Sequence, residues 1–181
     1  MNPYKLIRKY YKKDTLAYNI LITHSENVAE KALWLAGRVK KEKPDKKFLI
    51  EAAMLHDIGI FMTDAPNIGC FGEEPYIRHG VLGAKLVRKA GHPQHALVCE
   101  RHTGVGISRK DIKKQKLPLP DRDFLPVSLE EQIVCFADKF YSKNPKKLDQ
   151  EKSLDKIHKK MEKFGGEKAA QLESWIALFD L

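Results

Sequence analysis

The chain has 181 residues and carries a formal net charge of +9, with 43% hydrophobic and 31% charged residues. That length suits one core, and the composition is that of an ordinary globular protein rather than a disordered or fibrous one. No apolar run approaches the roughly 20 residues that cross a bilayer. The N-terminus lacks the apolar centre of a signal peptide, so a cytoplasmic protein is the expectation.

The apolar spacing predicts helices throughout, with no strand. A first helix covers about Tyr4 to Lys12. Asp14 is placed to cap a second, over Thr15 to Ile22. A third runs from His24 to Lys41, with Val28, Ala32, Leu35 and Val39 on one face, and Pro44 stops it. A fourth covers Lys46 to Asp57 and is closed by Gly59. A breaker-rich loop of about 17 residues follows, containing Pro66, Gly69, Gly72 and Pro75, and loops of that length are usually functional.

Further helices are predicted over Tyr76 to Ala90, Gln94 to His102 and Ser108 to Lys116. Ser128 and Glu131 form a capping-box pattern for a helix reaching Tyr141. Two closing helices cover Ser153 to Phe164 and Glu167 to Phe179, separated by Gly165-Gly166. The reading is one all-α domain over 1–181, with its core at about 20–145 and a helical extension at about 150–181.

The cysteines, Cys70, Cys99 and Cys135, are odd in number and have no paired spacing, which argues against disulfides and a cysteine zinc site. Cys99 and Cys135 read as buried thiols, and Cys70, in the loop, as an exposed one. The positive charge has two readings: a field for anions, or lysines on solvated helix faces. The mixed-charge stretches favour the second for most lysines.

Six polar residues stand where apolar ones belong. Asp138 lies four residues after Val134, on or beside the stripe of Ile133, Val134 and Ala137. An ionised carboxylate there is costly unless paired. For Asp138 alone, a salt bridge or helix cap is the simpler account. His24 lies on the face of Val28 and Ala32, His79 on that of Leu82, Gly83 and Leu86, and His102 on that of Val98 and Cys99. Each alone reads as a core histidine bonded to a carbonyl. His56-Asp57 differs. The pair ends an apolar helix, where adjacent side chains 100° apart can serve one site. Together the six come from five segments, and one metal site accounts for all of them. Imidazole with carboxylate suits a catalytic Fe, Mn, Co or Zn site.

The order His24, then Leu55-His56-Asp57-Ile58-Gly59, then Asp138 in Cys135-Phe136-Ala137-Asp138-Lys139 resembles the HD-domain phosphohydrolase superfamily in its HDIG variant, over about residues 20 to 145. His79-Gly80-Val81-Leu82-Gly83-Ala84 and Arg101-His102-Thr103-Gly104 resemble the stretches that add histidines in its dinuclear branch. Small uncharacterised HDIG proteins are the most similar, then the symmetrical diadenosine tetraphosphatases.

The resemblance implies an HD-type helical bundle and two divalent ions, iron or manganese before zinc, cobalt, nickel or magnesium. His24, His56, Asp57 and Asp138 would bind one ion, and Asp57, His79 and His102 the other. A bridging water would attack phosphorus. No Gly-Tyr-Pro signature and no acidic pair after His56-Asp57 occur, which argues against cyclic-di-GMP and guanosine-tetraphosphate hydrolysis.

Asp64 is a candidate for positioning substrate or protonating the leaving group, with a loop cap as the plainer reading. Arg78, Arg101, Thr103, Arg109 and Lys139 are candidates for substrate phosphate. His92, His95 and His158 read as structural, with His95 also a candidate for supporting a ligand. The partner is then a small phosphorylated substrate, a nucleotide or dinucleoside polyphosphate. A mononuclear 5'-nucleotidase-type enzyme and a basic nucleic-acid-binding module are the alternatives, the second disfavoured by the intact ligand set. A homodimer stays open.

Overall fold

The computed structural model describes residues 1–40 and 42–181; the predicted end of the third helix at Lys41 lies outside them. A short helix α1 (Pro3–Ile7) is capped by the Asn2 side chain. Then comes one long helix, α2 (Leu16–Ala36), where two were expected. No glycine or proline lies between Leu16 and Ala36 to open the hydrogen-bond ladder, and the buried stripe of Ala17, Ile20, Leu21, His24 and Val28 runs straight through the expected break. Thr15, not Asp14, is the cap: its hydroxyl accepts from the Tyr18 amide, while Asp14 takes a left-handed φ of 64°.

Helix α3 (Lys46–Leu55) is capped by Asp45 and ends two residues early, leaving His56 and Asp57 just past its C-terminus. Gly59 has a packing role beyond ending the helix. A Cβ there would stand 2.2 Å from the His79 carbonyl oxygen and 2.4 Å from the Gly83 nitrogen, so glycine lets this turn touch the next helix. The following loop holds 3-10 turns at Ile60–Met62 and Pro66–Ile68. It also holds a small antiparallel hairpin, β1 (Asp64–Ala65) with β2 (Cys70–Phe71), which the helix-only reading missed. Two-residue strands are too short to leave an alternating pattern. The hairpin turns Cys70 inward, so this thiol is buried rather than exposed, as are Cys99 and Cys135.

Helices α4 (His79–Lys89) and α5 (Pro93–Arg101) pack against each other, followed by α6 (Arg109–Gln115), whose N-cap Ser108 and Asp111 make a full capping box. Helix α7 (Leu129–Lys139) shows only half of the predicted box. Ser128 caps the Glu131 amide, but the Glu131 carboxylate accepts from the Val127 amide and the Arg101 guanidinium. Helices α8 (Leu154–Glu162) and α9 (Gly166–Leu178) pair with each other, and α9 rests on α7. The fold is all-α.

Ile157, Met161, Leu172, Trp175 and Phe179 of the closing pair join the apolar cluster that also contains Val28, Leu49 and Phe136. A second cluster joins α1 and the first half of α2 to Met54, Leu55 and Ile58. Along the chain His24 emerges between these two clusters, and His56-Asp57 is flanked by Leu55 and Ile58 of the second, so apolar packing on both sides holds their backbone in place. Among the described residues no helix is long and apolar enough to cross a membrane.

Candidate metal centre

All six polar residues that the sequence singled out meet at one point. His24 comes from the middle of α2, His56 and Asp57 from the end of α3, His79 from the first turn of α4, His102 from just past α5, and Asp138 from the last turn of α7. Their donor atoms fall into two groups that share Asp57: His24, His56, Asp57 and Asp138, and Asp57, His79 and His102. Within each group the atoms lie within 4.8 Å of one another.

Asp57 divides its oxygens between the groups. Its Oδ2 is 3.3 Å from His24 Nε2 and 3.0 Å from His56 Nε2. Its Oδ1 is 3.2 Å from His79 Nε2 and 3.3 Å from His102 Nε2. Asp138 Oδ1 completes the first group, 3.0 Å from His24 Nε2 and 3.5 Å from His56 Nε2.

Three of the rings are oriented by one local device. Nδ1 of His56, His79 and His102 each donates to the carbonyl three residues back, of Ala53, Tyr76 and Cys99, at 2.6, 2.6 and 2.7 Å. Nδ1 therefore keeps its proton and Nε2 presents its lone pair to the centre, the tautomer a metal ligand needs. The lone pairs of His79 and His102 then face each other at only 3.0 Å. His56 Nε2 and both Asp57 oxygens are buried without an aligned hydrogen-bond partner. Buried polar atoms rarely go unpaired, and converging acceptors repel. A cation between them satisfies every atom, so the residues present fit a metal.

Charge in the centre follows the same logic. Burial disfavours ionised Asp57 and Asp138, yet His56 and Lys143 hold Asp57, and Lys139 and Lys143 hold Asp138, well below the ordinary carboxylate range. Burial opposes a charge on His56 as well, but the two carboxylates raise it to about 9. His102 is driven by burial down to about 4. The added proton on His56 would sit on Nε2, and a cation bound there would take its place and leave the lone pair as ligand.

The remaining expected residues are scattered. Thr103 and Lys139 line a cavity of about 470 Å³ that opens onto Asp138. Lys139 Nζ lies 2.8 Å from Asp138 Oδ2. Arg78 is bonded to Glu74, and Arg101 to Glu131, each drawn to a carboxylate outside the centre. Arg109 is exposed and grips Asp121 with two bonds, at 2.8 and 2.7 Å. Asp64 is exposed on β1 and belongs to neither donor group. His95 bonds Glu51 at 3.1 Å, and His158 pairs with Glu173 and Glu162.

Two residues of the centre escaped notice. Lys143 Nζ reaches Asp57 Oδ2 at 2.6 Å, and Asp57 keeps it charged despite burial. Tyr76 stacks on His79, with ring centroids 4.7 Å apart, and burial pushes its hydroxyl up to about 12. The only signal for Lys143 was its place five residues after Asp138, among many other lysines.

The family model for the HD domain matches residues 21–142, which contain all six of these residues, from His24 on α2 to Asp138 on α7. The chain belongs to the HD domain family. This family is the metal-dependent phosphohydrolase superfamily, and the protein is an enzyme of that kind.

The HD protein is 32% identical over 163 residues to an uncharacterised protein of Methanocaldococcus jannaschii, covering 88% of this chain and 86% of that one. It is also similar to two proteins named tRNA (cytidine(56)-2'-O)-methyltransferase. One, from Thermoplasma volcanium, is 30% identical over 162 residues, covering 89% of this chain and 43% of that protein. The other, from Picrophilus torridus, is 33% identical over 131 residues, covering 72% and 34%. The chain thus spans less than half the length of either methyltransferase. No solved structure matches it significantly.

Proposed function

We propose that this HD protein is a dinuclear phosphohydrolase acting on a phosphoester or phosphoanhydride of a nucleotide or dinucleoside polyphosphate. The observation that carries the reading is the division of Asp57, one oxygen toward His24 and His56 and the other toward His79 and His102. A carboxylate so placed suits a bridge between two cations. His24, His56, Asp57 and Asp138 would hold one ion, and Asp57, His79 and His102 the other. Iron or manganese suits this nitrogen and oxygen set, with zinc, cobalt, nickel or magnesium as alternatives. Such ions supply an activated water and stabilise charge on the phosphoryl oxygens.

The protein's own groups do the rest. The backbone carbonyls of Ala53, Tyr76 and Cys99 keep three imidazoles in the ligand tautomer. Tyr76 covers His79 and shields it from solvent. Lys139 and Lys143 stand beside Asp138, where their ammonium groups can draw in the substrate's phosphoryl oxygens. The reaction adds water across one P–O bond. The water oxygen joins phosphorus, the bond to the leaving oxygen breaks, and a proton from the water ends on that leaving oxygen. Thr103 lies in the same cavity and is a candidate contact, while Arg78, Arg101, Arg109 and Asp64 would have to release their present surroundings to take part. Two relatives named for action on tRNA favour a nucleotide over other phosphoesters. A cytoplasmic location and a single domain remain part of the proposal.

The test is to strip the protein, reload it anaerobically with Mn or Fe(II), count ions per chain and measure phosphate release from a panel of nucleotides and dinucleotides. About two ions and release from a subset of the panel are expected. One ion would leave only the mononuclear nucleotidase form, with His79 and His102 touching phosphate instead. Silence with every metal would overturn the catalytic reading.

A further inference from the structure

The cavity at the metal centre has a second wall that the reaction itself does not require. Asp138, Lys139 and Lys143 line it beside the metal centre, and it is also lined by Lys156 and Lys160 of α8 and by Phe164 in the turn after that helix. The HD match ends at residue 142, so this wall lies beyond the matched segment.

The cavity lysines differ in what they already hold. Lys143 pairs with Asp57, Lys139 with Asp138, and Lys168 with Asp111 and the Gly106 carbonyl. Lys152 is bound by the carbonyls of Lys139 and Tyr141. Lys156 and Lys160 are exposed and form no ion pair among the described residues. They stand four residues apart on α8, so they share a face at a spacing of about 6 Å. Like charges at that spacing repel, and an anion between them relieves the repulsion. Beneath them Ile157 and Met161 are buried in the core, which fixes the orientation of the face.

A solvated lysine face is the plain alternative, and Lys159 illustrates it, exposed on the same helix but outside the cavity. The cavity volume of about 470 Å³ is that of a small-ligand site. Phe164, 60% exposed at its rim, offers a ring face on which a base can stack.

We infer that the α8 face is a second phosphate subsite, so that the substrate carries two phosphoryl groups, one cut at the metal centre and one held by Lys156 and Lys160. This rests on the phosphohydrolase reading above. It narrows the substrate to nucleotides with two or more phosphates, on one chain or on separate ribose positions.

The test uses the full-length, Mn-loaded protein with p-nitrophenyl phosphate as the one-phosphate probe. ATP and adenosine 3',5'-bisphosphate serve as probes with chained and separated phosphates. The readout is kcat/KM for each two-phosphate probe relative to the one-phosphate probe. The wild type is expected to prefer at least one of them, and K156A/K160A to lower that preference about tenfold, through KM. The K159A variant should keep the preference, because its side chain lies outside the cavity. Loss confined to ATP assigns the subsite to a phosphate chain, and loss confined to the bisphosphate assigns it to separated phosphates. A preference that is absent in the wild type, or preserved in K156A/K160A, overturns the subsite while leaving the hydrolase standing. If no probe is cut, calorimetric binding of ATP against inorganic phosphate decides the subsite separately. Equal weakening of both ligands in K156A/K160A, or of neither, then overturns it.

Discussion

The two walls of the cleft carry charge on opposite terms. On the metal side His56 and Asp57 are fully buried, their rings and carboxylates held by backbone carbonyls and by one another. On the α8 side Lys156 and Lys160 are exposed, on a helix whose buried anchors are Ile157 and Met161. Groups fixed in a dry site act on the reacting atoms with little reorganisation, whereas flexible lysines in water give weaker, salt-screened attraction. Changes on the first wall should therefore strike turnover and metal content, and changes on the second should strike substrate affinity.

The harshest test of that division is Asp57→Asn. The substitution keeps the shape but removes the charge shared by both donor groups. Metal content should fall from about two ions per chain to below one, and turnover by at least about 10³-fold, on the scale of losing a preorganised electrostatic element. Metal analysis and initial rates check this, with circular dichroism confirming that the helices persist. Full metal content with near-normal turnover would break the comparison at its centre.

A smaller effect is expected one group further out. His102→Ala removes a donor from only one of the two groups, so it should reduce the metal count from two to about one and slow turnover by roughly a hundredfold. His24→Ala should instead weaken the other ion. If both variants lose the same ion, the two groups form one site and the mononuclear form stands.

Why the first wall was legible in the sequence and the second was not follows from the same contrast. His24, His79, His102 and Asp138 interrupt apolar stripes, and a buried polar residue in a helix is conspicuous because it demands a partner. His56-Asp57 sits at a helix end, where two neighbours can turn to one point. Lys156 and Lys160 interrupt nothing, since a lysine on an amphipathic helix is what solvent exposure produces. Which lysine faces a cavity depends on how α8 packs against the core, and no local pattern reports that.

Arg78 and Arg101 mislead for a related reason. Each neighbours a ligand histidine in the chain, but adjacent helical positions diverge by about 100°, and Glu74 and Glu131 claim their side chains. The elements show the same limit. The helices were readable from their spacing, and the lack of a breaker between Leu16 and Ala36 signals the continuity of α2 as well, whereas the burial of Cys70 in a two-residue hairpin arises from tertiary packing.

Lys143 lies between the two walls and gives the finest test. It is a lysine, like those of α8, yet its amine is drawn into the centre, 2.6 Å from Asp57 Oδ2 and 3.9 Å from Asp138 Oδ1. An ammonium there and a divalent ion seek the same carboxylate oxygen. Replacing it by methionine keeps most of the stem and removes the competing charge, so the Mn dissociation constant of Lys143→Met should fall about tenfold, equivalent to about 1.4 kcal/mol. Turnover should fall by a similar factor, because the displaced amine is then missing where the phosphoryl oxygens arrive. Metal titration followed by steady-state rates separates the two effects. Tighter metal binding with slower turnover means that Lys143 exchanges its carboxylate for substrate when the centre is loaded. Weaker metal binding means instead that the amine supports the carboxylates, and Lys143 then belongs wholly to the buried wall.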